Sequence, residues 1–245
     1  MNRLPSNKRA AILAMLVAGY SMRSITRRDG VSINTVAKLL NDAGAAAKAY
    51  LDEHVRQIPG RRRIECSQTW AFSYPTPRRA ETSLRRATED TWTLAAIDAD
   101  SRLIVSCLAG DNSRKTRAGF VEDIRRRLIE TPELATTGLL GNRDTEGNGG
   151  ASRHGDSTVP EPDSIPRMPS NSEKRRFEKH VAMVNLYALH YNYCRVHPAL
   201  SVTPAMAAGL DSDIRDLGWI VALIDARARK PNRPKTYRKR AAGSN

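Results

Sequence analysis

The sequence is poor in cysteine, in aromatic residues and in long apolar runs, and these shortages exclude several classes of protein. Three cysteines in 245 residues, Cys66, Cys107 and Cys194, are odd in number and far apart, so they fit neither a disulfide framework nor a zinc site. We interpret them as ordinary buried thiols. No run approaches the roughly 20 apolar residues of a membrane-spanning helix, and the N-terminus lacks a signal-peptide cleavage pattern. We therefore predict a soluble, cytoplasmic protein with no membrane partner.

Acidic residues are scarce at both ends of the chain. The sequence carries 40 Lys and Arg against 26 Asp and Glu, a formal charge of +14. Residues 1–63 contribute +8 and residues 227–245 another +8, whereas residues 64–226 sum to −2. A near-neutral body with two basic ends is typical of a polyanion-binding protein, because Lys and Arg release counterions from phosphates. A basic tail that serves only solubility is the alternative for the C-terminal end.

Residues 1–50 predict an all-α helix-turn-helix domain that binds DNA. Apolar spacing predicts helices over residues 5–20, 22–28 and 33–42, and serine caps precede the second and third of them, at Ser21 and Ser32. Asp29-Gly30 supplies the tight turn, and Ala43-Gly44 is read as the stop of the third helix. A plain three-helix packing module is the alternative.

The third of these helices is the predicted recognition helix. In this motif the second helix lies in the major groove, and its first turns reach base edges. Asn34 is suited to adenine N6 and N7, whereas Lys38 and the neighbouring arginines suit phosphates. The predicted partner is double-stranded DNA, and the predicted DNA-binding residues are Arg23, Arg27, Arg28, Ser32, Asn34, Thr35 and Lys38.

Residues 62–137 predict a partial α/β core. Strand periodicity covers residues 62–74, 91–98 and 102–109, with a hairpin turn at 98–101, and a short fourth strand is expected over 134–137. A helix runs between the third and fourth strands, through Phe120, Ile124 and Leu128. On its outer, solvated face we place the acidic pair Glu122-Asp123 and the run Arg125–Arg127.

The rest of the chain divides by composition. Residues 138–172 are rich in Gly and Pro and predict a disordered linker or insertion. Helical spacing returns over 173–228, where we expect one helix from 173 to about 197 and another from 213 to 228. Residues 229–245 form the basic tail.

Three segments resemble bacterial insertion-sequence transposases. They are the helix-turn-helix over residues 23–40, the strand pair Thr93–Ser106, and Tyr191–Gly209, which is similar to a C-terminal signature of the form Tyr-Asn…Arg…His…Leu…Thr-Pro-Ala. The matching segments cover roughly residues 1–137 and 173–240. The resemblance implies an RNase H-like core of the DDE type, in which three carboxylates hold two Mg²⁺ ions that stabilise the attacking and leaving oxygens of a phosphodiester.

The positions that the resemblance assigns to those carboxylates lack them. The first Asp stands three residues before a Trp on the first strand, and that position is Ser67 here. The second falls between a Thr-Thr pair and Gly, but this chain reads Thr136-Thr137-Gly138. The third, a Glu, would fall in the Gly/Pro-rich stretch, where Glu161 and Glu173 lack the family's context. Other acids nearby are Asp98, Asp100 and Asp144, of which the first two look like turn formers.

We therefore expect a transposase-like DNA-binding protein, apparently a degenerate copy, with a truncated RNase H-like core and C-terminal helices. No residue is assigned as catalytic or as a metal ligand, and Mg²⁺, the family's cofactor, is not expected to bind well. Two alternatives stay open: an active Mg²⁺-dependent transposase that uses displaced acids, and a helix-turn-helix transcriptional regulator. Assembly as a homo-oligomer is also open.

Overall fold

The computed structural model describes residues 4–60, 62–74, 89–110, 113–136 and 177–228. Within these ranges the chain forms the helices α1 (Ser6–Val17), α2 (Met22–Asp29), α3 (Ile33–His54), α4 (Arg114–Arg127), α5 (Phe177–Tyr193), α6 (Pro204–Ala207) and α7 (Leu217–Arg227). The strands are β1 (Arg63–Tyr74), β2 (Glu89–Asp98), β3 (Ile104–Gly110) and β4 (Glu133–Thr136). The predicted linker at 138–172 and the tail at 229–245 lie outside the described residues.

The four strands form one mixed sheet in the order β3-β2-β1-β4. β1 pairs antiparallel with β2, and β2 pairs antiparallel with β3. β4 returns beside β1 in parallel, with Cys66 opposite Thr136. A parallel pair needs a crossover connection, and α4 lies in that connection. The predicted α/β class is confirmed.

The hairpin between β2 and β3 is built around Asp98. Its carboxylate Oδ2 accepts hydrogen bonds from the Ser101 backbone N–H, at 3.2 Å, and from the Ser101 hydroxyl, at 2.5 Å. Arg62 donates to the same oxygen at 3.3 Å. This side chain is only 1% exposed, and its Oδ1 has no hydrogen-bond partner among the described residues. The interpretation of Asp98 as a turn former is confirmed.

Local signals define α2 and the start of α3. Ser21 accepts a hydrogen bond from Ser24 N–H and Ser32 accepts one from Thr35 N–H, each at 3.1 Å, so both predicted caps are confirmed. Gly30 ends α2 with φ +66°, a left-handed conformation that favours glycine. The sharp turn between the two helices follows from this residue.

The predicted end of the third helix is wrong. α3 passes through Ala43-Gly44 and continues to His54, a length of 22 residues. A Cβ on Gly44 would lie 2.4 Å from the Cα of Ala182 in α5, so this glycine permits close contact between the two helix backbones. Glycine's lack of a side chain serves helix packing here, and the helix continues for almost three more turns.

One hydrophobic core joins the N-terminal and C-terminal helices. It includes Ile12 and Leu16 of α1, Leu51 of α3, and Ile220 and Ile224 of α7. An ion pair between Arg9 and Asp225, 2.7 Å apart, ties α1 to α7 beside this core. The α1–α3 segment therefore packs directly against the C-terminal helices.

Two predicted bounds of the C-terminal helices are wrong. α5 ends at Tyr193, before the expected end near 197, and α7 begins only at Leu217, where Asp216 accepts a hydrogen bond from Trp219 N–H. The predicted start at 173 lies outside the described residues. Between them the Thr-Pro-Ala part of the transposase-like signature forms a helix start: Thr203 caps α6 and Pro204 occupies its first turn.

Candidate nucleic-acid interface

The exposed surface of α2 and of the first turns of α3 carries the predicted DNA-binding residues. Thr35 is half-buried, and the other six are exposed: Arg23, Arg27, Arg28, Ser32, Asn34 and Lys38. The opposite sides of both helices are buried, with Ile25 and Val36 fully inaccessible. Amphipathic packing thus turns this set of polar side chains outward together. We call this set the α2–α3 surface.

Two of the seven side chains already have a structural role. The Ser32 hydroxyl caps α3, and it also lies 2.8 Å from the Thr35 hydroxyl. Losing either hydroxyl would therefore affect the helix start as well as any DNA contact. Asn34 is more available, because its amide makes no hydrogen bond within the described part of the chain.

Lys38 is held in an exposed ion pair. Its ammonium lies 2.6 Å from Asp42 Oδ2, one helical turn further on, and the two side chains are 60% and 42% exposed. Such pairs contribute only about 0.3–0.5 kcal/mol, so a phosphate can compete with Asp42 for this lysine. Arg27 and Arg28 have no ion-pair partner among the described residues.

Sequence reasoning missed one apolar side chain on the same surface. Ile33, the first residue of α3, is 41% exposed and stands between Ser32 and Asn34. An exposed aliphatic group among major-groove contacts suits the methyl group of thymine. Its position in the first turn, where the recognition helix of this motif touches bases, was the signal that could have found it.

The assignment of Arg127 and Asp123 to a solvated face is wrong. Arg127 is 5% exposed; its guanidinium lies 2.8 Å from Asp123 and 2.5 Å from Asp52 of α3. It also donates to the Leu51 carbonyl at 3.0 Å. Asp123 in addition accepts from the Ser106 hydroxyl at 2.6 Å. These contacts fix the C-terminal end of α4 to the C-terminal half of α3.

The strand position that the transposase resemblance assigns to a carboxylate holds Ser67. This residue is half-buried in β1, paired with Ala95 of β2. The neighbouring Cys66 faces the core, where burial raises its thiol pKa to about 11. Glu65 lies two residues before Ser67, one strand period away, and its carboxylate is 3.5 Å from the Arg102 guanidinium. A neutral serine hydroxyl is a poor ligand for Mg²⁺, so these donors do not fit a two-metal site.

Most of the remaining sequence candidates for that chemistry fall outside the described residues. Asp144, Glu161 and Glu173 lie outside the described residues, as do Thr137 and Gly138. Within the part that the structure describes, no group of three or more His, Cys, Asp and Glu side chains is placed to hold a metal ion.

The three cysteines are free thiols. Cys66 is buried, in line with the interpretation from sequence, whereas Cys107 and Cys194 are half-buried. Burial is the main reason that the pKa of Cys107 is raised to about 11 and that of Cys194 to about 12. All three are therefore protonated and weakly nucleophilic at neutral pH.

A cavity of about 260 Å³ lies between α3, β3, α4 and α5. Its polar lining includes Lys48, Asp52, Asp123 and Asn185. Asn185 is 9% exposed, and its amide has no hydrogen-bond partner among the described residues. An unpartnered amide in a buried wall is unusual, because buried polar groups are normally hydrogen-bonded.

The transposase-like C-terminal signature holds α5 against the sheet. Asn192, fully buried, accepts a hydrogen bond from Ile104 N–H and donates one to the Ile104 carbonyl, each at 2.9 Å. Because β3 is an edge strand, this amide satisfies backbone groups that no neighbouring strand covers. Near the start of α5, outside that signature, His180 lies 2.9 Å from the Thr93 hydroxyl of β2. The contacts of Asn192 are structural.

Comparisons with protein-family models, with curated proteins and with solved structures return no match. Among the described helices, none combines the length and apolar character that crossing a membrane requires.

Proposed function

We propose that this chain is a transposase-like DNA-binding protein, related to the DDE recombinases of DNA transposition, whose metal-dependent strand cleavage is impaired. The observation that carries the proposal is the α2–α3 surface. There cations, an aliphatic side chain and an amide with no hydrogen bond among the described residues are exposed together on α2 and the first turns of α3. This combination suits phosphates, an adenine edge and a thymine methyl.

The order of the strands supports the recombinase part of the proposal. Three strands, a helix and a fourth strand follow one another as the sequence predicts for the partial α/β core, and the fourth strand pairs in parallel with the first. Ser67 follows the last β1–β4 pair by one residue, and so lies where the centre of β1 meets the end of β4. In our proposal, Ser67 is one reason that cleavage is impaired.

Binding is tested with two pairs of matched alanine variants along α3. Lys38 and Lys48 each form an i,i+4 ion pair with an aspartate, and their side chains are 60% and 61% exposed. We expect Lys38→Ala to weaken binding to duplex DNA and to lower the salt slope by about 0.9, whereas Lys48→Ala leaves both unchanged. Asn34→Ala and the exposed Asn41→Ala form the second pair. Equal effects within each pair would contradict the proposed surface.

Impairment is tested by nicking of supercoiled plasmid in Mg²⁺ or Mn²⁺. We expect the purified chain to retain DNA binding and to leave the plasmid intact. Metal-dependent nicking that disappears with a chelator would contradict impairment and favour an active transposase with displaced acids.

The cavity favours a second candidate, a ligand-responsive transcriptional regulator. Lys48 and Asp52 line it from the same helix whose first turns carry Asn34 and Lys38. A small molecule bound near Asn185 would thus contact the helix that binds DNA. Selection of binding sites from random duplexes separates the two candidates: a regulator selects palindromes with half-sites about one helical turn apart.

A further inference from the structure

The solvent-facing side of α4 carries a second positively charged surface. Seven residues of this helix are exposed, and at 100° per residue they occupy one arc of about 140°. We call them the α4 basic face: Arg114, Lys115, Ala118, Gly119, Glu122, Arg125 and Arg126.

The charges of this face lie at its two ends. Arg114 and Lys115 occupy the first turn, and Arg125 and Arg126 occupy the last turn. Arg126 is paired with Glu122 at 3.0 Å, whereas the other three cations have no ion-pair partner within the described ranges. The face therefore has a net charge of +3.

The cations at the start of α4 are unfavourable for the helix itself. A helix N-terminus carries a partial positive charge and favours acidic residues, yet the first turn of α4 contains none. Arg114 and Lys115 thus oppose the helix dipole. A bound anion at this end would relieve that repulsion.

Gly119 lies at the edge of this face, where it also lines the cavity between α3, β3, α4 and α5. A Cβ here would meet nothing within 4 Å, so packing inside the chain does not require glycine. Ala118 and Gly119 leave a low floor between the two charged ends, beside the Glu122 carboxylate that is paired with Arg126.

We propose that the α4 basic face binds the phosphate backbone of duplex DNA next to the segment held by the α2–α3 surface. This inference rests on the proposed DNA-binding function. Arg114 and Arg125 lie on one stripe, eleven residues or about 16 Å apart along the axis. That separation suits phosphates on both sides of a groove, the major groove being about 12 Å wide. The low floor lets the backbone approach between them.

The spacing of the two surfaces follows from α3. Arg127 binds Asp52, and Arg56 donates to the Arg126 carbonyl at 3.4 Å, so the end of α4 is fixed to the end of α3. From Lys38 to Asp52 is fourteen residues, or about 21 Å. Arg114 can lie about 16 Å further away along α4, so the two surfaces together can extend beyond one duplex turn of about 34 Å, and a duplex of two to three turns is long enough to reach both.

The test compares the double variant Arg114→Gln/Arg125→Gln with the control Arg63→Gln/Arg195→Gln. All four arginines are exposed, and both variants remove two charges. Binding is measured by fluorescence anisotropy over a salt series, on duplexes of about one turn and about three turns. We expect the α4 variant to lower the salt slope by about 2 on the three-turn duplex and by less on the one-turn duplex, and the control to keep the wild-type slope.

Each outcome decides the matter. If the α4 variant has the same salt slope as the control on both duplexes, the proposal is overturned. Binding by wild type that is lost in Lys38→Ala would still leave the proposed function of the α2–α3 surface intact. An equal loss on the one-turn duplex would overturn the placement derived from α3. If wild type binds no duplex, both the proposed function and this inference fail. Unfolding midpoints provide the control for folding, because removing Arg114 from the first turn should not lower them.

Discussion

Replacing Arg127 with methionine tests whether this buried arginine holds α4 against α3. Methionine keeps most of the side-chain volume but removes the charge and every donor. Asp52 and Asp123 then lose their shared cation, and the Leu51 carbonyl loses a hydrogen bond. Removing one partner of a buried ion pair destabilises a protein by about 3–5 kcal/mol. Both aspartates are about one-third exposed, so we take the lower end, about 3 kcal/mol.

The assay is urea unfolding followed by circular dichroism, with Arg126→Met as the matched control. Arg126 is the preceding residue, but its pair with Glu122 is exposed, and losing such a pair changes stability by no more than about 0.5 kcal/mol. A loss in Arg127→Met no larger than that of the control would refute the role assigned to this arginine. A change in the slope of unfolding would instead indicate altered compactness.

The same variant predicts a change in acid sensitivity. Burial alone would raise the pKa of Asp52, but hydrogen bonds from Lys48 and Arg127 outweigh it and hold the pKa below 3.8. A carboxyl with a lowered pKa stabilises the fold above its ordinary pKa, and that stability is lost as the pH falls below about 4. We expect the loss of stability between neutral and acid pH to be smaller in Arg127→Met than in wild type. Equal losses would contradict the contact.

Two further predictions address helix packing and the sheet edge. Gly44→Ala should destabilise the chain by about 1–3 kcal/mol, since its Cβ meets the Ala182 backbone. Gly119→Ala should instead stabilise the chain by up to about 1 kcal/mol. Equal unfolding midpoints for the two variants would contradict this contrast. Asn192→Ala should cost about 2–3 kcal/mol and accelerate hydrogen exchange at the Ile104 amide, because that backbone N–H loses its acceptor; unchanged exchange would remove the role given to this side chain.

Elements set by neighbouring residues were predictable from the sequence. Ser21 and Ser32 cap their helices because a cap needs only a side-chain oxygen and an amide two or three residues away. The turn at Asp98 is equally local, since its main partner, Ser101, is three residues distant. The exposed set on α2 and α3 also followed from sequence, because burial of Val36 fixes which side of α3 faces outward.

Features that depend on distant partners were not predictable. In the sequence, a glycine that ends a helix looks the same as Gly44, which allows Ala182 of α5 to pack closely against α3. Only the position of α5 decides between these two roles. Arg127 follows two exposed arginines in an unbroken run, but Asp52, 75 residues away in sequence, makes its burial possible. The role of Asn192 likewise depends on where β3 becomes an edge.

Because α3 is one continuous helix, the proposed DNA-binding surface would stay in position even if cleavage were lost. If DNA binds the α2–α3 surface as proposed, its orientation relative to the sheet is set by a single helix. Close packing at Gly44 and the contact between Asp52 and Arg127 hold the far end of that helix in place. If Ser67 in β1 stands where cleavage requires a carboxylate, as proposed, that difference does not disturb these contacts, because they lie on other elements. Under the proposed function, positioning of DNA and cutting of DNA are therefore separable, and a chain that does not cut could still bind the same duplex.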